Sequence, residues 1–240
     1  MTIQIAVIDV AKSFNNQQRA AVIQALNNQV HNHFAPNWNG LGSNFQLIDG
    51  SNWNTATFNN FKGYVMMLLS GQSPQGDAGE HSDSISGHPI IDIWVDACHS
   101  AGIPVSMAMS HEVLELIADE YISSVCYDWV NNVFWIQEVC DPVAFTAAEG
   151  QTMGYAMPNG TVVSNFVFPV YFNGLGIKPD ELGQVDYLKS ISGAIGTFGA
   201  GGYLGKYVPG TGWTMVGALE DVRVQGMLNA LGKYKFIGMK

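Results

Sequence analysis

The chain alternates between short apolar runs and polar connections, a pattern that predicts both strands and helices. Apolar runs at residues 3 to 10, 45 to 49 and 64 to 70 are short enough for strands. Between the first two, residues 15 to 33 place apolar side chains at helical spacing, which predicts an amphipathic helix. The apolar side of that helix would contain Ile23, Leu26, Val30 and Phe34.

Small and polar residues fill positions 71 to 88, which predicts a loop. Two histidines in it, His81 and His88, are either surface residues or side chains that reach a functional site. The following run, residues 90 to 97, alternates apolar and acidic residues, as is typical of a half-exposed strand. We therefore expect an edge strand beside a cleft.

Two apolar runs on either side of Asn131 and Asn132 predict a β-hairpin with a two-residue turn. In that register Cys126 faces Gln137, and the side chains of Cys126 and Cys140 lie on opposite faces. No disulfide can then join them, and three cysteines are too few for a disulfide framework. We expect free and mostly buried thiols, with an approach of Cys140 to a metal as the alternative.

The stretch from Ser106 to Tyr121, SMAMSHEVLELIADEY, combines an apolar surround with one polar arc. At about 100° per residue, a helix places Glu115, Asp119 and Glu112 within about 100° of His111. The rest of the circle is apolar, as expected of a helix inside a protein. The apolar positions are Met107, Met109, Val113, Leu114, Leu116, Ile117 and Ala118.

Carboxylates on a buried helix need a neutralising partner, because burying an unpaired carboxylate costs several kcal/mol. The sequence has no lysine or arginine between Lys62 and Lys178. A metal ion or a basic partner is therefore favoured over an internal ion pair. The alternatives are a solvated helix face and an acidic surface adapted for solubility.

The segment HEVLE has the layout of zinc peptidase helices, in which residues i and i+4 face the metal and a glutamate at i+1 lies beside the metal-bound water. His111 and Glu115 are thus candidate ligands, and Glu112 is the candidate base. On the second strand of the predicted hairpin, Glu138 shares a face with apolar residues. It is the first candidate for another ligand, and Asp141 is the second. Asp119 lies on the same helical arc as His111 and Glu115 and is therefore a further candidate ligand.

Composition narrows the class of protein. The chain has 240 residues, of which 47% are hydrophobic and 12% charged, which indicates one globular domain, with or without an appendage. A net charge of -10 argues against nucleic acid as a partner. We find neither a secretory signal nor an apolar run of the roughly 20 residues that span a bilayer. We expect a soluble chain, cytoplasmic at synthesis, with virion association or release after lysis left open.

Four segments, SHEVLELIAD, EVCDPV, VSNFVFPVYF and GGY, together resemble a family of zincin-like metallopeptidases encoded by bacteria and phages. The resemblance covers about residues 3 to 210. It implies an α+β fold in which a zincin-like mixed β-sheet packs on an N-terminal helix and a metal-bearing central helix. The metallopeptidase domain would span residues 1 to 172, and residues 173 to 240 would form a Gly-rich C-terminal extension packed on it or projecting from it.

The same resemblance implies a metal site made by His111 and Glu115 with a ligand from beyond the hairpin. The chain departs from the family pattern directly after the motif helix. Family members commonly have Asp-Pro there, whereas this chain has Asp119-Glu120. The helix can therefore end differently, and the direction of Asp119 is open.

The expected function is hydrolysis of a peptide or protein substrate. A zinc ion on His111, Glu115 and Glu138 would lower the pKa of its water toward about 7. Glu112 would take that proton and pass it to the leaving amine. Because a carboxylate replaces the second histidine of the usual motif, Ca²⁺ is the alternative ion.

The second hypothesis is a non-catalytic structural protein of a phage particle or similar assembly that retains a zincin-like scaffold. Low charge, an exposed aromatic strand at residues 163 to 172 and the extra C-terminal segment would suit burial in a homo-oligomer or virion. A third reading is a calcium-stabilised binding module. The acidic interval supports it, and the absence of any calcium-loop spacing weakens it.

Overall fold

A computed structural model describes residues 2–74, 77–83 and 89–217 of the chain. His88 lies outside these ranges. The architecture is mixed α/β, with a five-stranded sheet and a four-stranded sheet. A short two-stranded hairpin is formed by β8 (Tyr155–Ala156) and β9 (Val162–Val163).

The five-stranded sheet has the order β2-β1-β3-β5-β4. Its strands are β1 (Ile3–Asp9), β2 (Phe45–Asp49), β3 (Tyr64–Leu69), β4 (Gly79–Asp83) and β5 (Pro89–Trp94). All neighbours run parallel except β4, which is antiparallel to β5. The three strands predicted at the start of the chain are confirmed. Their short apolar runs are buried because helices and connections cover the sheet.

The predicted N-terminal helix is confirmed and begins with a capping box at Asn15. It forms α1 (Asn16–Asn28), continues as a π-helix over Gln29–Phe34 and ends in the short α2 (Ala35–Asn37). All four apolar positions predicted for its inner side are buried. Two further short helices are α3 (Thr55–Asn60) and α4 (Val95–Ala101).

The central helix is α5 (Val105–Ala118), and it lies against β4, β5 and β9 in the core. It ends three residues earlier than predicted. Asp119 has φ -146° and ψ 78°, and its two carboxylate oxygens accept the N–H groups of Ser123 and Ser124. Asp119 therefore does not share the polar arc of α5, because its carboxylate is hydrogen-bonded within the turn that follows the helix.

The predicted loop at residues 71 to 88 is wrong in part, because it contains β4. The prediction of an edge strand at residues 90 to 97 is wrong as well: β5 lies between β3 and β4, and α4 begins at Val95. The sequence of β4, GEHSD, has none of the apolar residues that indicate a strand. Pairing with β5 stabilises it instead.

The four-stranded sheet has the order β11-β10-β7-β6. It contains β6 (Val125–Asp128), β7 (Val133–Ile136), β10 (Tyr203–Val208) and β11 (Gly212–Gly217). The β6–β7 hairpin is confirmed, but its two-residue turn is wrong. Asp128 pairs with Val133, and Cys126 faces Trp135 rather than Gln137. The Asp128 carboxylate accepts the N–H groups of Val130 and Asn131 and so stabilises a four-residue turn.

The three cysteines are free, as predicted, with Cys98 and Cys140 buried and Cys126 half-buried. The expectation of an exposed aromatic strand at residues 163 to 172 is wrong. Only Val163 belongs to a strand, and the run ends in α6 (Pro169–Asn173). Phe166, Tyr171 and Phe172 are buried.

Residues 173 to 217 of the Gly-rich segment supply side chains to the same core and strand β10 to the second sheet, and residues 218 to 240 of the predicted extension lie outside the described residues. Buried Asp186 holds this segment in place by accepting hydrogen bonds from Asn165 and from the N–H groups of Ser190 and Ile191. Within the described ranges, no helix combines the length and the apolar character needed to cross a lipid bilayer.

Candidate metal centre

Helix α5 presents His111, Glu112 and Glu115 toward one cavity of about 330 Å³. His111 and Glu115 are one turn apart, which brings His111 Nε2 within 3.3 Å of Glu115 Oε2. Glu112 and Glu115 are both buried. At Glu112 the helix packs closely on β4. A Cβ atom at Gly79 would lie only 2.9 Å from Glu112 Cγ, so a glycine is needed there.

The segment after the β6–β7 hairpin supplies the second part of the site. Asp141 begins a short 3₁₀ turn, and its Oδ1 atom lies 3.2 Å from His111 Nε2. Glu115 Oε1 accepts the N–H groups of Cys140 at 3.1 Å and Asp141 at 3.3 Å. The helix and this segment are therefore joined through the Glu115 carboxylate, which leaves Oε2 facing His111.

Glu138 and His81 complete the cluster from two other segments. Glu138 follows the end of β7, and His81 lies on β4. Ligand atoms of His81, Glu115 and Glu138 lie within 4.8 Å of one another, as do those of His111, Glu115 and Cys140. His81 Nδ1 is also 3.4 Å from Glu112 Oε2.

The electrostatics of the cluster reflect buried like charges. Burial and the charge of Glu115 raise the pKa of Glu138 well above its usual value. The same two causes raise the pKa of Asp141 to about 6, although His111 opposes the shift. Burial by itself would lower the pKa of His81, but the charges of Glu138, Glu112 and Glu115 raise it to about 10. The cluster thus favours bound protons or a cation.

Tyr203 is a further residue of the site, although the sequence pattern around it indicates no functional role. It lines the cavity together with Asp141, and the interaction between the two side chains lowers the pKa of Asp141 and raises that of Tyr203. Burial, together with the charges of Asp141 and Glu115, raises the pKa of Tyr203 well above its usual value. The hydroxyl therefore stays neutral and is able to donate a hydrogen bond to a carboxylate. The signal that could have identified Tyr203 is the GGY segment, whose glycines bring β10 close to the 3₁₀ turn: a Cβ atom at Gly202 would lie 2.0 Å from the carbonyl oxygen of Pro142.

The donor set fits a divalent cation. Two ligands at about 2.1 Å from a tetrahedral ion lie about 3.4 Å apart. The distances from His111 Nε2 to Glu115 Oε2 and Asp141 Oδ1, 3.3 and 3.2 Å, are close to that value. In addition, Glu138 Oε2 is buried and has no hydrogen-bond partner among the described residues. A cation would give this oxygen the partner that it lacks.

The structure brings together most of the residues singled out in the sequence. His111, Glu112, Glu115, Glu138 and Asp141 all line the cavity. Asp119 does not line it, since backbone N–H groups occupy its carboxylate. His81, for which the sequence left two alternatives, is buried in the site.

No protein-family model, no curated protein and no solved structure matches this chain. The resemblance to zincin-like metallopeptidases therefore remains a prediction from sequence motifs. The case for a metal centre depends on the geometry of the side chains themselves.

With a chelator present, we expect the free energy of unfolding to fall as pH rises above about 5. Asp141 and His81 have raised pKa values in the folded chain, of about 6 and about 10, and therefore bind protons more tightly there than in the unfolded chain. Their stabilising contributions are present below the unfolded pKa values of about 3.9 and 6.5. They are lost as pH rises through about 6 for Asp141 and about 10 for His81.

Urea unfolding at about pH 5, 7 and 9 measures this dependence. The same series with saturating Zn²⁺ is the control, and its decline should be smaller because a metal binds deprotonated ligands. A chelated chain that becomes more stable between pH 5 and 9 would contradict the prediction.

Proposed function

We propose that the protein is a metal-dependent hydrolase that cleaves peptide bonds, with Glu112 as general base. One observation carries the proposal: buried Glu112 lies beside a set of metal-ligand side chains in the wall of a cavity. A purely structural carboxylate would not need that combination of an ion site, a neighbouring base and space for another molecule.

In this proposal His111, Glu115 and either Asp141 or Glu138 would hold a zinc ion. When bound, the ion would lower the pKa of a water molecule toward about 7 and polarise the substrate carbonyl. Glu112 would accept a proton from the attacking water and deliver it to the leaving amine. His81, 3.4 Å from Glu112, would orient that carboxylate. Tyr203, which lines the cavity together with Asp141, would orient that carboxylate by donating its hydroxyl hydrogen.

A polypeptide is the preferred substrate class because of β4. This strand lies at the edge of its sheet and contributes Gly79, Glu80, His81 and Ser82 to the cavity wall. Its outer side pairs with no other strand in the described part of the chain. An extended peptide could form backbone hydrogen bonds along this edge with a scissile bond near the ion.

Zinc is preferred over calcium because of the donor atoms. Calcium takes six to eight oxygen ligands, whereas this cluster contains two imidazoles and a thiol. Nitrogen and sulfur donors suit zinc. Ca²⁺ remains the alternative ion for an arrangement that uses the carboxylates alone.

The second candidate function is a structural protein of a phage particle or similar assembly. One observation favours it: the cluster contains more protein ligands than a catalytic ion with an open position needs. A fully ligated ion would only stabilise the fold. The burial of the aromatic run removes one of the reasons for this reading.

The test uses the full chain, treated with a chelator and then given Zn²⁺. We expect cleavage of a fluorescently labelled unfolded protein with zinc, and a loss of at least about 100-fold without it. His111→Asn should also lose cleavage, whereas His99→Asn, on an exposed side chain, should not. Cleavage that depends on neither zinc nor His111 would refute the proposal. Zinc binding without any cleavage would favour the structural protein.

A further inference from the structure

The cluster contains two overlapping sets of ligand groups, and both include Glu115. The first set consists of His111, Glu115 and Cys140, and Asp141 Oδ1 lies beside it, 3.2 Å from His111 Nε2. The second set consists of His81, Glu115 and Glu138, which come from β4, α5 and the segment after β7. Both sets use the segment after β7, but the Glu115 carboxylate is the only side chain that belongs to both.

The second set has its own unsatisfied atoms. His81 is 5% exposed and Glu138 is 8% exposed. Within the described residues, His81 Nε2 and Glu138 Oε2 are buried without a hydrogen-bond partner. Buried polar atoms without partners are uncommon, and a cation bound between these two side chains would give both atoms a partner. An ion held only by His111, Glu115 and Asp141 would leave Glu138 Oε2 unsatisfied.

The negative charge of the buried carboxylates also favours a second cation. Glu112, Glu115, Glu138 and Asp141 supply four buried carboxylates. The sequence has no lysine or arginine between residues 62 and 178, and the described part of the chain contains no ion pair from a basic side chain elsewhere to these four. One divalent ion would leave two negative charges, which a proton on His81, whose pKa is raised to about 10, would offset only in part. Two divalent ions would neutralise all four carboxylates.

We propose that the site binds two divalent cations, with Glu115 as the bridging carboxylate. The first ion is held by His111 and Asp141, and the second by His81 and Glu138. Carboxylates and imidazoles suit zinc or manganese in both positions. Sites with two ions about 3.5–4 Å apart can contact both the attacking and the leaving group in hydrolysis. The inference rests on the proposed function only for the identity of the first ion site.

The experiment measures ions rather than activity. Chelator-treated full chain is titrated with Zn²⁺ by calorimetry, and the bound zinc is counted by elemental analysis after gel filtration. We expect two ions for each chain. Glu138→Gln and His81→Asn should each keep one ion and weaken the other by more than about 100-fold, since even the loss of a partner outside the ligand set costs 10- to 100-fold.

The matched controls are Glu149→Gln and His99→Asn, which change exposed residues of the same types and should keep both ions. His111→Asn should lose the first ion. Circular dichroism verifies that each variant folds. If His81→Asn does not fold, the number of ions bound by Glu138→Gln, which preserves side-chain shape, tests the second ion site. One ion in the unmodified chain, unaffected by Glu138→Gln, would overturn the two-ion proposal and leave the proposed hydrolase intact. No ion at all would overturn both.

Discussion

Replacing Glu112 by glutamine is expected to reduce peptide hydrolysis by about 10²- to 10⁴-fold while the chain keeps its zinc. The carboxylate lies in the cavity wall, 3.4 Å from His81 Nδ1 and packed on Gly79. Glutamine has the same shape and fits the same space, but it cannot accept the proton of an attacking water. Neither set of ligand groups that could hold a metal includes Glu112, so metal affinity should change little.

The measurement is kcat/KM on a labelled unfolded protein, together with elemental analysis of the same sample. Glu149→Gln is the matched control because Glu149 is exposed and lies outside the cavity wall. A Glu112→Gln protein that retains both zinc and full activity would remove the base assignment. Loss of zinc together with activity would instead make Glu112 a ligand.

Replacing Glu115 by alanine is expected to abolish zinc binding and to lower the free energy of unfolding by about 3 kcal/mol, even in a chelator. Oε1 accepts the N–H groups of Cys140 and Asp141, and Oε2 faces His111. Alanine leaves two buried N–H groups without an acceptor and opens a cavity beside α5. The residue thus has a structural role and a metal-binding role in the same carboxylate.

Glu115→Gln separates these two roles. The amide oxygen can still accept both N–H groups, whereas the negative charge is lost. We expect this variant to lose zinc binding but to lose less than about half of the stability that alanine loses in a chelator. Urea unfolding with and without Zn²⁺ gives both quantities. Equal stability losses for the two variants would show that the backbone hydrogen bonds of Glu115 contribute little.

The central helix and its motif were predictable from the sequence because their geometry is local. A helix fixes the relation of residues four positions apart, so the apolar surround and the spacing of His111 and Glu115 were sufficient. The absence of lysine and arginine between residues 62 and 178 also predicted that the acidic groups need a partner. The same local reasoning identified the N-terminal helix. The cysteines are free, as predicted, although the hairpin register used in that argument is wrong.

The residues that complete the site were harder to predict because they depend on the ends of elements and on pairing between strands. Asp119 was predicted to share the helical arc, but α5 ends at Ala118, and the Asp119 carboxylate accepts a backbone hydrogen bond in the turn that follows. The hairpin register differs from the prediction because Asp128 stabilises a longer turn. Glu138 was predicted on the second strand of the hairpin, but β7 ends at Ile136, and both Glu138 and Asp141 reach the cavity from the segment after it.

By itself, the sequence determined the helix that carries the site, the side chains that it presents and the excess of negative charge around them. Only the tertiary structure decided that His81 and Tyr203 belong to the site. The physical reason lies in β4 and β10: His81 is on a polar strand that exists because it pairs with β5, and Tyr203 reaches Asp141 because glycine lets β10 approach the 3₁₀ turn. Neither relation is encoded in the spacing of neighbouring residues.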